Sequence, residues 1–361
     1  MPEPLKNRYN RQFIKALSTE IKKHYRAFDV AGFTSSIFNK DWKNEELKQR
    51  MRHITQSLHQ YLPSDYDQAL AILKPASSKF SGFEPMFFPD YVECYGLDEY
   101  RESMLALETF TKYSSSEFAV RPFIIRYEKK MMTQMKKWSA SNNHHVRRLS
   151  SEGCRPRLPW AMALPKYKAD PEPVLNILES LLDDDSEYVR RSVANNLNDI
   201  SKDHPDKVLE IIRLNLGRSE KTDRLLKHAC RTLLKQGDSK ALKLFGYPSP
   251  THVTVRKLSI QKSTLIGDTL SFSFSLHSND RNLGKIRIEY GIDFMKANGK
   301  RLRKVFKISE SEIKDNSRSL TKNHSFKIIS TRKYYPGLHG LAIIINGQQI
   351  AEGNFQLLQP A

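Results

Sequence analysis

The sequence predicts a multidomain protein, an all-α HEAT-like helical solenoid followed by an all-β immunoglobulin-like sandwich. Three observations carry this reading. The text changes from helical spacing of Leu, Lys, Glu and Arg to period-two alternation near residue 250. A polar-cap/Val-Arg motif recurs before that point, and about seven short alternating runs fill 251–361 after it. A length of 361 residues fits about two domains.

Taken in order, residues 1–110 read as N-terminal capping helices, with helical runs from Phe13 to Tyr25 and from Glu45 to Leu62 that lack the repeat motif. Residues 111–247 read as repeats that form an active cleft. Ser116-Glu117-Phe118-Ala119-Val120-Arg121, Asn143-His144-His145-Val146-Arg147-Arg148 and Ser186-Glu187-Tyr188-Val189-Arg190-Arg191 share a polar cap, two or three spacers and Val-Arg; Thr222-Asp223-Arg224-Leu225-Leu226-Lys227 is a weaker copy. The valines lie 26 and 43 residues apart, and the second spacing fits a helical-pair repeat of about 40–47 residues. In each copy the cap starts a helix, Val packs inward and Arg points out of or along a concave groove. Gly246-Tyr247-Pro248-Ser249-Pro250 is a stiff linker that stops the last helix. The sandwich, 251–361, is read from His252–Val255, Leu270–Leu276, Lys285–Tyr290, Val305–Ile308 and Phe326–Ile329. Its turn signals are Ser278-Asn279-Asp280, Asn298-Gly299, Pro336-Gly337 and Asn346-Gly347.

The composition narrows the function. There are 59 Lys+Arg against 40 Asp+Glu, a net charge of +19, with a pI near 9.7 and a mean hydropathy of −0.58. Such a balance points to a polyanionic partner, usually nucleic acid; a ribosome-associated or simply basic protein is the alternative. Residues 251–361 carry 18 Lys+Arg and 8 Asp+Glu, a net +10, so the small domain is the more basic per residue and is expected to grip the same partner from the side opposite the cleft. No run approaches the ~20 apolar residues of a spanning helix, so no membrane partner is expected. Met1-Pro2-Glu3-Pro4 opens without a signal-peptide apolar region. Cys94, Cys154 and Cys230 are odd in number and widely spaced, which excludes a disulfide framework or CxxC zinc site and points to a reducing, cytoplasmic setting.

Phosphate loops, GxSxG, HExxH and dinucleotide fingerprints are absent, and adjacent His144-His145 make a poor metal pair, so neither cofactor nor metal is expected. What remains is a set of carboxylates among cations. Between Val120 and Trp160 stand ten Lys+Arg and only two acids, Glu128 and Glu152. On helices, Glu117 and Arg121 are i,i+4, as are Arg148 and Glu152, while Arg191, Asn195 and Asp199 follow at i, i+4, i+8. Val189, Val193, Leu197 and Ile200 form the apolar stripe, which leaves Asp199 on the polar side. Each pair taken singly reads as an ordinary surface salt bridge contributing roughly 0.3–0.5 kcal/mol. Three in succession, in a surface suited to phosphates, read as carboxylates facing a sugar: one to stabilise developing positive charge, one to orient or activate water. Trp160, after the rigid Gly153-Cys154-Arg155-Pro156-Arg157-Leu158-Pro159, either packs between helix pairs or stacks on a nucleotide.

Ser116–Pro122, the stretch from Arg147 to Trp160, and Tyr188–Asp199 resemble the AlkC branch of the HEAT-like-repeat DNA alkylation repair glycosylases; Lys333-Tyr334-Tyr335-Pro336-Gly337 with Asn346-Gly347 resembles that branch's immunoglobulin-like extension. The resemblance implies a monofunctional DNA glycosylase acting without base flipping on cationic N3-alkylated bases, 3-methyladenine and by extension 3-methylcytosine, in base excision repair. It implies a catalytic set of Glu152, Asp199, Trp160 and Glu117, and a partner in alkylated double-stranded DNA met as a monomer. The basic residues Arg121, Arg147, Arg148, Arg190, Arg191, Lys129 and Lys130 are the expected DNA contacts. The competing readings are a non-catalytic nucleic-acid-binding HEAT scaffold, since such stacks more often bind than catalyse, and a solenoid whose basic face meets an acidic protein.

Overall fold

The computed structural model describes residues 3–279, 281–329 and 332–360. Among these, sixteen α-helices precede eight β-strands, and no helix is long and apolar enough to cross a membrane. The chain gathers into two compact units, Met1–His204 with Leu216–Ala229, and Pro205–Asn215 with Cys230–Ala361. The last helix, Ser239–Leu244, and the first strand, from Thr254, bracket the change in sequence character near 250. The helices Pro205–Asn215, Arg231–Gln236 and Ser239–Leu244 nevertheless cluster with the strands.

In the first unit the expected stripe is built as read. Val189, Val193, Leu197 and Ile200 are buried along helix Glu187–Ile200, which packs on His144–Gly153 and Glu220–Ala229. Val120, Val146 and Val189 are each fully buried. The polar cap holds fully in one copy, where the Asn143 side chain accepts from His145 N–H. Helix Val120–Arg126 starts without a polar cap, because the Ser116 hydroxyl donates instead to the Leu107 carbonyl at 2.9 Å. Gly153 ends its helix against Val120, whose Cγ2 would lie 2.6 Å from an added Cβ.

The Val-Arg arginines do not point outward as expected. Arg147 donates from Nη1 to the Ser141 and Asn142 carbonyls at 2.9 and 3.0 Å. Arg190 donates to those of Asp184 and Asp185 at 2.6 and 2.9 Å. The offsets are the same in both copies: each arginine closes the turn before its own helix and satisfies carbonyls a short turn would leave open.

The strands are β1 (Thr254–Ile260), β2 (Ser263–Leu265), β3 (Thr269–His277), β4 (Gly284–Met295), β5 (Arg301–Ile313), β6 (Ser317–Ser325), β7 (Gly337–Ile345) and β8 (Gln348–Leu358). They form a three-stranded sheet, β1-β3-β6, and a five-stranded sheet, β2-β8-β7-β4-β5. The β2–β8 pair is parallel and the other pairs are antiparallel. Leu270, Phe272, Phe274 and Leu276 alternate into the core with Ile286, Ile288, Leu341 and Ile343. The Phe326–Ile329 run is not a strand; its neighbour β6 is. Phe326 is buried, but Ile328 is 72% exposed and Ile329 makes only an isolated bridge to Arg332, so the apolar alternation there has no partner strand. Asn346-Gly347, with φ of 44° and 78°, closes the β7–β8 hairpin with two left-handed residues, as the dipeptide predicts. Asp280, in the expected turn at 278–280, lies outside the described residues. Within this unit an added Cβ on Gly237 would meet Gly347 O at 2.6 Å, and Asn346 donates to Pro248 O at 2.7 Å. The helical tail is thereby fastened to the hairpin.

Candidate active site

Three carboxylates from three helical segments come together through guanidinium groups. Glu117 lies before helix Val120–Arg126, Glu152 in the last turn of His144–Gly153, and Asp199 near the end of Glu187–Ile200. The Arg155 guanidinium stands between the last two. Its Nη1 donates to Glu152 Oε1 at 2.6 Å, its Nε to Asp199 Oδ2 at 2.9 Å, and its Nη2 lies 2.8 Å from that oxygen. Arg148 Nη1 donates to Glu117 Oε2 and, at 2.8 Å, to Ser115 Oγ, while its Nη2 lies 3.4 Å from Glu152 Oε1. Lys202 Nζ completes the chain at Asp199 Oδ1, 3.0 Å away. Acid and cation thus alternate from Glu117 through Arg148, Glu152, Arg155 and Asp199 to Lys202.

Burial makes the members of this chain depend on one another more than surface pairs do. Glu152 is 4% exposed and Asp199 3%, so each charge has left water and depends on its neighbour. Burial alone would lower the pKa of Arg148 and Arg155, but the facing carboxylates outweigh it and hold both above the usual arginine value. The second oxygen of Glu152 accepts from Ser192 Oγ at 2.7 Å, and Ser192 is itself 2.7 Å from Ser151 Oγ. Glu152 therefore has both oxygens engaged. Glu117 does not: Oε2 takes Ser115 and Arg148, and Oε1 has no partner among the described residues.

The chain forms one wall of a cleft of about 670 Å³, which Glu117, Arg148, Glu152, Arg155, Trp160 and Tyr188 line. Asp199 does not reach it. Trp160 is 63% exposed with φ at +64°, a left-handed backbone that costs a bulky residue of order 1–3 kcal/mol. Of the two readings for Trp160, packing between helix pairs is excluded by this exposure. Ser81, Gly82, Phe83 and Met86 wall the cleft as well, so the N-terminal region contributes more than a cap.

The structure corrects the local pairings. Glu117 is i,i+4 to Arg121 but pairs with Arg148, and Asp199 pairs with Arg155 and Lys202 rather than Arg191; only Arg148–Glu152 stands as spaced. Asp199 is buried rather than on an open polar face. Among the expected DNA contacts, Arg121 is corrected outright. It is wholly buried and donates to the Met162 carbonyl at 2.7 Å and to those of Gly153 and Arg155 at 2.9 Å. Arg147 and Arg190 are committed to their turn carbonyls, and Arg147 further to both oxygens of Asp184 at 2.6 and 3.0 Å. Arg148 sits in the carboxylate chain. Lys129 and Lys130 are exposed on helix Glu128–Ser139, where they line a shallow hollow with Tyr100 and Lys137 and no part of the cleft. Arg191 is exposed and pairs with Glu187. It lines a basic groove with Arg190, Lys221, Arg224 and His228.

Sequence reasoning passed over Arg155, Lys202 and Ser192. The first two were within reach, since each lies three residues after its carboxylate on one chain segment. Ser192 had no such signal, because its partner Glu152 is forty residues away. No group of three or more His, Cys, Asp or Glu suited to a metal ion occurs among the described residues.

Residues 105–233 match the family described as DNA alkylation repair enzyme. Residues 254–359 match the C-terminal Ig-like domain of the uncharacterised protein YhaZ. YhaZ of Bacillus subtilis (strain 168) is 49% identical over 355 residues, 98% of this chain and 99% of that protein. The solved Pseudomonas fluorescens alkylpurine DNA glycosylase AlkC, bound to DNA containing an abasic site analog, is 36% identical, with 99% of this chain and 100% of that chain covered and a TM-score of 0.95. With a helical segment that matches the family model and an Ig-like region that follows it in sequence, the chain belongs to the DNA alkylation repair enzyme family, in the two-part form that AlkC shares.

Proposed function

We propose that this protein is a monofunctional DNA glycosylase that hydrolyses the N-glycosidic bond of cationic N3-alkylated bases, 3-methyladenine and 3-methylcytosine, without flipping the base. The observation that carries the reading is the cleft wall in which buried Glu152, locked by Arg155 and Ser192, stands near Glu117 with its open Oε1 and the exposed Trp160.

The chemistry suits this set. A base alkylated at N3 already bears positive charge, so the C1′–N bond breaks with its electron pair going to the base, which leaves neutral. No general acid is then needed. The barrier lies in the oxocarbenium character at C1′, which an ionised carboxylate at the sugar lowers electrostatically. Glu152 fits that role, because both its oxygens are held and its charge is fixed in place. Glu117 fits the other: Oε1 can take the proton of a water as its oxygen bonds to C1′. Asp199, off the cleft, acts through Arg155. Trp160 offers a face for the sugar or base edge. Discrimination then rests on the lability of the charged base rather than on a deep pocket. The basic groove at Arg191, Lys221 and Arg224 suits phosphate contacts, as does the +10 charge of 251–361.

The test is base release. Purified protein is incubated with methylated duplex DNA without metal or cofactor, and the free bases are separated by chromatography. Release of 3-methyladenine or 3-methylcytosine supports the reading. Tight, salt-sensitive binding with no release would replace it by the non-catalytic scaffold.

A further inference from the structure

Arg121 has a burial that its expected role does not explain. A guanidinium with no carboxylate in contact is costly to remove from water, and burial pulls its pKa down to about 10. One of its nitrogens, Nη2, is buried with no partner. What Arg121 holds is backbone: the carbonyls of Gly153, Arg155 and Met162. These bracket the segment that carries Arg155 and Trp160. A second cation reaches the same segment from far away in sequence. Lys48 Nζ donates to the Trp160 carbonyl at 2.8 Å and lies 4.8 Å above the Phe118 ring. The residue so held is the one with the strained left-handed backbone. Arg155 and Arg157 anchor the first half of the segment to Asp199 and Asp203, whereas the exposed tip at 159–162 is tied, besides Arg121 and Lys48, by Ala161 N to Leu158 O at 3.3 Å.

We infer that Arg121 and Lys48 are positioning residues for the glycosidic-bond chemistry, two cations that clamp the backbone of the 153–162 segment and so hold the Trp160 ring against the cleft. This rests on the glycosylase reading above. Arg121 fixes both ends of the segment from below, and Lys48 fixes the strained residue itself. Neither touches substrate. Without the Lys48 bond, Trp160 relaxes from its left-handed conformation and the ring loses its pose. A misplacement of about 1 Å at such a group costs up to about 100-fold in rate.

The test uses the full chain with Lys48→Met, Lys48→Arg, Arg121→Lys and Trp160→Ala. Lys48 is a surface residue, so Lys48→Met folds even if Arg121 variants do not. Acrylamide quenching reads Trp160 directly, because Trp42 and Trp138 are buried. Lys48→Met is expected to change the quenching constant, slow single-turnover base release about three- to tenfold, and leave the DNA dissociation constant within twofold. Lys48→Arg restores the rate. In the Trp160→Ala background Lys48→Met has no further effect, since it acts through Trp160. Arg121→Lys shifts quenching and rate in the same direction. Unchanged quenching, an equal slowing in the Trp160→Ala background, or a loss of affinity that accounts for the loss of rate would overturn the clamp; the last would make Lys48 a phosphate contact. If wild-type protein releases no base, the glycosylase reading falls, and quenching alone decides whether the clamp exists.

Discussion

Glu152 and Asp199 are joined by one side chain: Arg155 lies 2.6 Å from an oxygen of the first and 2.8 Å from an oxygen of the second. The carboxylate that lines the cleft is therefore set in place by one that does not. Arg155→Met should slow base release by about 100-fold or more, through loss of the fixed Glu152 charge. Arg155→Lys, which cannot bridge both acids, should recover only part of that loss. Single-turnover kinetics on both variants, with folding checked by thermal melting, decide it. Full activity in Arg155→Met would remove the bridge from the mechanism.

The two cleft carboxylates differ in their open valences, and their variants should differ accordingly. With Glu117 as the proposed acceptor of the water proton, Glu117→Gln should slow release by about 100-fold or more. Raising pH should restore part of its activity, as hydroxide replaces the activated water. With Glu152 as the proposed electrostatic stabiliser, Glu152→Gln should show no such rescue. Rate against pH for both variants checks the assignment, and identical profiles would refute the division of labour.

The basic groove offers a charge test. Arg191→Glu with Arg224→Glu should weaken binding to undamaged and damaged duplex alike and lower the salt slope by about one for each phosphate that is no longer neutralised. Binding isotherms at several salt concentrations read both effects. Unchanged slopes would move the phosphate track elsewhere.

Asp184 ties two repeats through Arg147. Burial works against its charged form, but the Arg147 bonds and the Ser186 N–H outweigh burial and hold its pKa below the ordinary aspartate value. A depressed folded-state pKa gives stability that is present above the unfolded value near 4 and is lost as pH falls through the folded one. Asp184→Asn should cost roughly 3 kcal/mol at pH 7, and that difference from wild type should shrink below pH 4. Urea melts at pH 7 and pH 3 check it.

His324 works with the opposite group chemistry. Burial, with nearby Arg332, lowers its pKa to about 4, and its Nδ1 lies 2.8 Å from the Tyr290 hydroxyl. It stays neutral in the fold while the unfolded chain takes up a proton below about pH 6.5. Stability should fall as pH drops from about 6.5 to 4, by on the order of 3 kcal/mol. His324→Phe should flatten this slope. Thermal melts across that range decide it, and parallel curves would show that His324 does not titrate on unfolding.

The architecture was legible in the sequence because periodicity survives folding. Val189, Val193, Leu197 and Ile200 bury as a stripe, and Leu270 to Leu276 alternate into the sandwich. The run at Phe326–Ile329 misled because alternation reports which faces are apolar, whereas a strand also needs a neighbour to bond. At the site, the sequence named the three acids and Trp160 as candidates but, Arg148–Glu152 apart, not their partners. Local spacing pairs Glu117 with Arg121, yet packing of successive helices brings Arg148 closer and turns Arg121 inward to loop carbonyls. Charge counts identified a basic chain but could not separate an arginine that meets solvent, such as Arg191, from those that staple turns, such as Arg147 and Arg190.

The central claim is that a fixed carboxylate at the cleft, rather than binding alone, drives base release. The most direct measurement is single-turnover release from a duplex carrying one 3-methylcytosine, by wild type and Glu152→Gln, with binding measured in parallel. Wild type should release the base, the variant should lose about 100-fold or more in rate, and duplex affinity should be equal or higher once the acid is neutralised. Equal release by the two proteins would contradict it and return Glu152 to the role of an ordinary buried ion-pair partner.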